Sequence, residues 1–167
     1  MKTKAYKVGI LGLSMGGNWA EGIARNKDAR LVALYDPDLE RARTVGARHG
    51  IVPAATEDEF FDTDLDIVVV ASPDHLHVRQ AVRALSLGRH VACEKPMAPT
   101  VKDCRAIAAA VRRSGKVIVT GQLCRFRPGF VLAKKLVEQG RIGEIAFIES
   151  QYYHDYSLVP GVNNWRK

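Results

Sequence analysis

The turn Gly12-Leu13-Ser14-Met15-Gly16-Gly17 follows the apolar run Tyr6 to Leu11 and precedes Asn18 to Arg25, a stretch able to form a helix. A second apolar run, Leu31 to Tyr35, ends on Asp36. The first N–H groups of a helix lack partners and sit at the positive end of its dipole, so such a turn suits a pyrophosphate. An acid at the end of the following strand suits ribose hydroxyls, and together the parts fit a dinucleotide. Gly12 is expected to make the tight turn, and Gly17 to let helix and strand pack closely. Ser14 stands where G-x-G-x-x-G has its middle glycine. If that position needs positive φ, Ser14 costs on the order of 1–2 kcal/mol, offset in part if its hydroxyl donates to a phosphate. By itself the turn also fits a plain strand-to-helix turn of another α/β protein.

A second set of polar residues follows later apolar runs: Ser72-Pro73-Asp74 with His77, and Glu94-Lys95-Pro96. A lysine ammonium beside a reacting C–O group stabilises a developing alkoxide and helps move its proton. Position alone would make Lys95 a surface lysine paired with Glu94. A lone histidine near a helix start, as His77 is, more often caps or packs than acts as acid or base. Arg41 and Arg43 follow Asp36 closely and could meet a 2′-phosphate, but Asp36 would repel it, so both read as solvated helix surface and NAD is expected rather than NADP. The histidines have no metal-site spacing, and no metal is expected.

The elements that must position these residues are legible in the pattern. Asp38 caps a helix to His49 that Gly50 closes, and Thr56 with Glu59 opens another to Phe61. Asp66 to Ala71 is apolar on both faces, as in a central parallel strand. A helix with Val78, Ala81, Val82 and Leu85 on one face ends before Gly88, and His90 to Cys93 forms the next strand. Thr100 and Asp103 cap a helix ending at Ser114-Gly115, and Lys116 to Val119 is a further strand. Alternating strands and helices predict an α/β fold, a doubly wound parallel (Rossmann) sheet, with ligands beyond the carboxyl ends of the strands. After Gly121 the rhythm changes. Pro128 to Gln139 reads as a helix, and the polar run Glu144 to Tyr156 suits a strand of a second sheet. The expected organisation is a dinucleotide-binding domain over 1–121 and the beginning of an incomplete α/β second domain over 122–167.

The segments V-G-I-L-G-L-S-M-G-G, D-I-V-V-V-A-S-P-D-H-L-H, H-V-A-C-E-K-P and C-R-F-R-P resemble the Gfo/Idh/MocA family of dinucleotide-dependent oxidoreductases across essentially the whole chain. The resemblance implies a Rossmann domain followed by an open-sheet domain that carries much of the substrate pocket and commonly the oligomer interface. Carried over residue by residue, Gly12, Ser14, Met15 and Gly17 hold the pyrophosphate and Asp36 takes the ribose. Ser72, Pro73, Glu94 and His77 line the cofactor cleft, and Arg125 contacts substrate or ties the domains together. Lys95 sits beside the nicotinamide ribose and the substrate hydroxyl, giving Lys95 and His77 as catalytic candidates. The implied activity is hydride transfer between a nicotinamide cofactor, NAD, and a sugar or polyol. The family's catalytic Asp and His fall beyond residue 167, so the chain reads as a partial product, inactive alone, and a homo-oligomer when full length. The rival expectation is a stand-alone dinucleotide-binding or regulatory module.

Composition sets the outer bounds. The chain has 167 residues, 47% hydrophobic and 26% charged, which is ordinary for a globular protein. No apolar run approaches the roughly 20 residues that cross a bilayer, and the amino terminus leads straight into a strand, so a cytoplasmic protein without membrane partners is expected. The formal charge of +7 comes from scattered Lys and Arg without interleaved aromatics, which argues against nucleic acid. Cys93, Cys104 and Cys124 read as buried free thiols.

Overall fold

A computed structural model of the chain describes residues 5–153. They fall into two compact units that divide after Gly121. The first runs β1 (Tyr6–Leu11), α1 (Gly16–Ala24), β2 (Ala29–Tyr35), α2 (Leu39–His49), α3 (Glu57–Asp62), β3 (Ile67–Val70), α4 (Asp74–Ser86), β4 (His90–Cys93), α5 (Val101–Ser114) and β5 (Ile118–Thr120). All four ladders are parallel, and the strand order is β2-β1-β3-β4-β5. The order reverses between β1 and β3, and the crevice beyond their carboxyl ends is where such a sheet takes ligands.

The sheet is covered on both faces, as its unbroken apolar strands require. On one face Leu11, Val68 and Val70 pack with Phe60 and Phe61 of α3, Ala81 and Leu85 of α4, and Ile107 of α5. On the other, Val8, Ile10 and Val69 pack with Ala20 and Ile23 of α1 and Ala42 and Val45 of α2. This is the doubly wound Rossmann-type sheet that the alternating pattern predicts.

Local signals place most helix ends. The Asp38 side chain accepts from Arg41 N at 3.0 Å, and Gly50 closes α2 in the left-handed region at φ 67°. Thr56 Oγ1 accepts from Glu59 N, while the Glu59 carboxylate reaches back to Ala55 N at 2.8 Å. Thr100 caps α5 through Asp103 N, and Gly115 closes it. The expected last strand, Lys116 to Val119, shifts to Ile118–Thr120, because its register follows β4: Val91 pairs with Ile118 and Cys93 with Thr120.

The second unit contains a 3-10 turn (Leu123–Phe126), which the sequence reading missed, and α6 (Pro128–Glu138), which opens on its proline. No residue of α6 is buried. The strand expected over Glu144 to Tyr156 is corrected over residues 144–153, which form no ladder; residues 154–156 lie outside the described residues. A strand is held by its neighbours' N–H and C=O groups, and no described segment pairs with this one.

Candidate functional site

Gly12 lies where three strand ends meet. Its N–H donates to Tyr35 O at 2.9 Å, tying the turn to β2, and its φ is +83°. A Cβ there would fall 2.5 Å from Ser72 N and 2.7 Å from Ala71 C, at the end of β3. Gly12 is thus required twice, by a left-handed backbone and by the close approach of β3. No described non-glycine residue has positive φ, so Ser14 carries no backbone strain and the conditional cost does not arise.

The helix–strand contact expected of Gly17 belongs to Gly16. A Cβ on Gly16 would sit 2.7 Å from Ile10 Cγ2, whereas one on Gly17 would meet nothing within 4 Å. The helix begins two residues earlier than Asn18, so the glycine facing the sheet is the first of the pair. Met15, half exposed, precedes the helix without a side-chain cap. Among the described helices of the first unit, α1 alone has neither a side-chain cap nor an acid in its first turn. Its positive end is therefore left uncompensated by the chain, which fits a pyrophosphate at this turn.

Asp36 is 3% exposed and its carboxylate is well supplied with donors. Oδ2 accepts from Leu13 N at 2.7 Å, inside the glycine turn, and Oδ1 accepts from Asp38 N at 2.8 Å. Arg41 Nη1 lies 3.1 and 3.3 Å from the two oxygens, and its Nη2 is 2.9 Å from Asp38 Oδ2. Arg41 is exposed, as expected of helix surface, but its guanidinium also lies against the acid. Arg43 pairs with Glu40 in the open.

The end of β4 is built differently. Glu94, 6% exposed, accepts the indole N–H of Trp19 at Oε1, 2.8 Å away, and the backbone N–H of Lys95 at Oε2, 3.1 Å away. Gly121 packs against this carboxylate. The Lys95 side chain is exposed and, among the described residues, makes no ion pair, so the Glu94 pairing that position suggests does not form. The Lys95–Pro96 peptide is cis. Burial, with Glu94 alongside, pushes the Cys93 thiol up to about 12, so it stays protonated and inert. It is the one buried thiol of the three expected: Cys104 is half-buried on α5 and Cys124 is exposed on the 3-10 turn, where no sheet covers it.

His77 is 1% exposed, with Nδ1 2.7 Å from Pro96 O and Nε2 2.8 Å from Ser72 O. Both ring nitrogens face backbone carbonyls, which leaves neither to act as acid or base on a substrate. The Ser72 hydroxyl donates to Gln80 Oε1 at 2.6 Å, and Gln80 Nε2 donates to Glu57 Oε2 at 2.8 Å. Burial would raise the Glu57 carboxyl, but hydrogen bonds from Arg79 and Gln80 and the charges of Arg79 and Arg83 outweigh it and hold the carboxyl below its ordinary range. Trp19, Gln80 and Glu57 are the supporting residues that sequence reasoning missed. Each depends on a partner that only the folded sheet supplies. Pro73 precedes α4 at the end of β3. Arg125 stands exposed on the 3-10 turn of the second unit.

Residues 6–122 match a family model described as an oxidoreductase family with an NAD-binding Rossmann fold. Inositol 2-dehydrogenase 1 of Saccharopolyspora erythraea is 36% identical over 147 residues, covering 83% of this chain and 43% of that protein. The apo scyllo-inositol dehydrogenase of Lactobacillus casei superposes with a TM-score of 0.81 at 29% identity, over 87% of this chain and 45% of that one. The WlbA dehydrogenase of Bordetella pertussis, solved with NADH and UDP-GlcNAcA, superposes with a TM-score of 0.80 at 30% identity, over 85% and 44%. The chain spans less than half the length of these relatives.

Proposed function

Because this chain belongs to the Gfo/Idh/MocA family of oxidoreductases with an NAD-binding Rossmann fold, we propose that it forms the dinucleotide-binding part of an enzyme that oxidises or reduces a sugar, polyol or related hydroxyl compound. The observation that carries this reading is the uncompensated amino end of α1, set at the sheet's switch point with a buried Asp36 tied to the same turn. The N–H groups of the turn, including those of Ser14 and Met15, hold the pyrophosphate, and Asp36 faces the adenosine ribose. A bound nicotinamide would supply the hydride acceptor or donor. Lys95, with no carboxylate partner among the described residues, holds the substrate hydroxyl and offsets the negative charge that develops on its oxygen. Ser72, Pro73 and Glu94 form the cleft wall between these ends. Trp19 and Glu94 keep the backbone under Lys95 in place, and His77 is a positioning residue rather than an acid or base.

The ribose reading has a consequence for selectivity. Arg41 occupies the side of Asp36 that ribose hydroxyls need, so it must swing aside for NAD; the remaining Asp36 charge then disfavours a 2′-phosphate. Titration of the chain with NADH and with NADPH, followed by energy transfer from protein to nicotinamide, is expected to show tighter NADH binding. Arg41→Ala is expected to strengthen NADH binding and to weaken what NADPH binding there is. Tighter NADPH binding by the unaltered chain, lost in Arg41→Ala, would show that Arg41 recognises phosphate and that Asp36 serves only the turn. Absence of binding to either would remove the cofactor reading.

A further inference from the structure

We propose that Gln80, held by Glu57, fixes the Ser72 hydroxyl as a hydrogen-bond acceptor only. This wall of the cleft then selects a neutral donor on the nicotinamide half of the cofactor, a hydroxyl or an amide N–H, and turns phosphates away. In this consequence the inference rests on the cofactor cleft proposed above. Gln80 is 2% exposed, and its side-chain amide bridges two partners. Oε1 lies 2.6 Å from Ser72 Oγ, and Nε2 lies 2.8 Å from Glu57 Oε2. An amide donates at nitrogen and accepts at oxygen, whereas a carboxylate only accepts. Turning the amide over would set its oxygen against the carboxylate. The nitrogen therefore faces Glu57, the oxygen faces Ser72, and the single hydroxyl proton of Ser72 is committed to Gln80. Lone pairs are what Ser72 Oγ has left to offer, and among the described residues nothing donates to them.

Glu57 sets the direction of this chain. Arg79 grips both of its oxygens, with Nη1 2.6 Å from Oε1 and Nη2 2.7 Å from Oε2, and Arg83 Nη1 stands 3.6 Å from Oε1. Against the cost of burial, the hydrogen bonds from Arg79 and Gln80 keep the carboxyl below its ordinary range, so near neutral pH it has no proton to offer Gln80. Each hydrogen bond in such a chain polarises the next. At its other end the chain reaches the cleft. A Cβ on Gly12 would fall 2.5 Å from Ser72 N, and His77 Nε2 lies 2.8 Å from Ser72 O, so the backbone that carries the hydroxyl is fixed beside the glycine turn. A dinucleotide held at this turn meets Ser72 close to its phosphates. Phosphate oxygens are acceptors, which the amino end of α1 satisfies and Ser72 does not. The groups beyond them, the second ribose and the carboxamide, carry donors that Ser72 can take. Gln80 and Glu57 touch neither cofactor nor substrate; they are positioning residues that act through Ser72.

A test without ligand reads the direction of the chain. Scalar coupling across the hydrogen bond, recorded on the chain labelled with 13C and 15N, should connect Gln80 Nε2 with the carboxylate carbon of Glu57. Absence of that coupling, with the Gln80 amide protons close to Ser72 Hβ instead, would overturn the fixed acceptor. The test with ligand uses ADP, ADP-ribose and NADH, which share a pyrophosphate and differ beyond it. Ser72→Ala is expected to leave ADP binding unchanged and to weaken NADH binding about tenfold. An equal loss with ADP-ribose assigns the donor to the ribose, and a loss with NADH alone assigns it to the carboxamide. Gln80→Leu is expected to give a smaller loss with the same ligands, and no further loss when combined with Ser72→Ala, because both act through one oxygen. No loss with NADH, a loss shared by ADP, or full additivity of the two changes would overturn the proposal. Failure of the unaltered chain to bind NADH while the Gln80–Glu57 coupling is present would instead sink the cofactor cleft and leave the one-way hydroxyl standing.

Discussion

The ends of β2 and β4 each carry a buried carboxylate, and the two are satisfied in opposite ways. Asp36 takes two backbone N–H groups, one from the glycine turn and one from Asp38, and a guanidinium lies over it. Glu94 takes an indole N–H from α1 and the backbone N–H of the residue that follows it, with no cation among its described partners. A carboxylate paired with arginine is fixed in both charge and direction. One held by neutral donors is fixed in direction while the neighbouring ammonium of Lys95 has no ion-pair partner among the described residues. The β2 end is thereby suited to shaping a binding surface, and the β4 end to presenting a reactive group.

The largest expected effect breaks the first arrangement. Asp36→Ala leaves Leu13 N–H, Asp38 N–H and Arg41 without their acceptor and should cost about 3 kcal/mol in stability, read from urea unfolding. A cost below that of Trp19→Phe would reverse the ranking of the two ends. Next comes the turn that Asp36 holds. Gly16→Ala drives a methyl into Ile10 and should cost about 2 kcal/mol, whereas Gly17→Ala, with open space around it, should be neutral or stabilising by up to about 1 kcal/mol. Thermal melts of the two variants would show the reverse if Gly17 faced the sheet. The smallest effect belongs to the β4 end. Trp19→Phe removes one neutral donor from Glu94 and should cost about 1 kcal/mol, with Glu94→Gln giving little further loss when combined with it. Full additivity of the two changes would mean that the indole and the carboxylate do not act on each other.

These contrasts also mark what the sequence could disclose. Caps and turns were legible because their partners lie within a few residues: Asp38 with Arg41 N, Thr56 with Glu59 N, Thr100 with Asp103 N. The strand pattern gave the doubly wound sheet because a run apolar on both faces has few other places to go. The choice between Gly16 and Gly17 was not legible, since it depends on where the first helical turn starts. Nor was the Trp19–Glu94 bond, whose partners stand 75 residues apart. The alternative set beside the catalytic reading of Lys95, a pairing with Glu94, could not be weighed for the same reason: Glu94 is engaged elsewhere in space. His77 drew notice as a possible acid or base, while its actual partners are backbone atoms, which sequence does not single out.

The pairing of β1 with β3 has a consequence for how the molecule comes into being. Lys7 N–H meets the Asp66 carboxylate across 59 residues, and the ladder beside it closes the same span. Until that span has been synthesised and has folded back, β1 can pair only with β2, and its other side presents an open row of N–H and C=O groups. Parallel pairing over such a distance gains nothing before the loop entropy has been met, so it is slow relative to the helices around it. Gly12 finds its place against Ser72 only when this step is done. The cleft is thus not a feature added to a finished sheet, and the nascent chain has no dinucleotide site to stabilise it through its most aggregation-exposed interval.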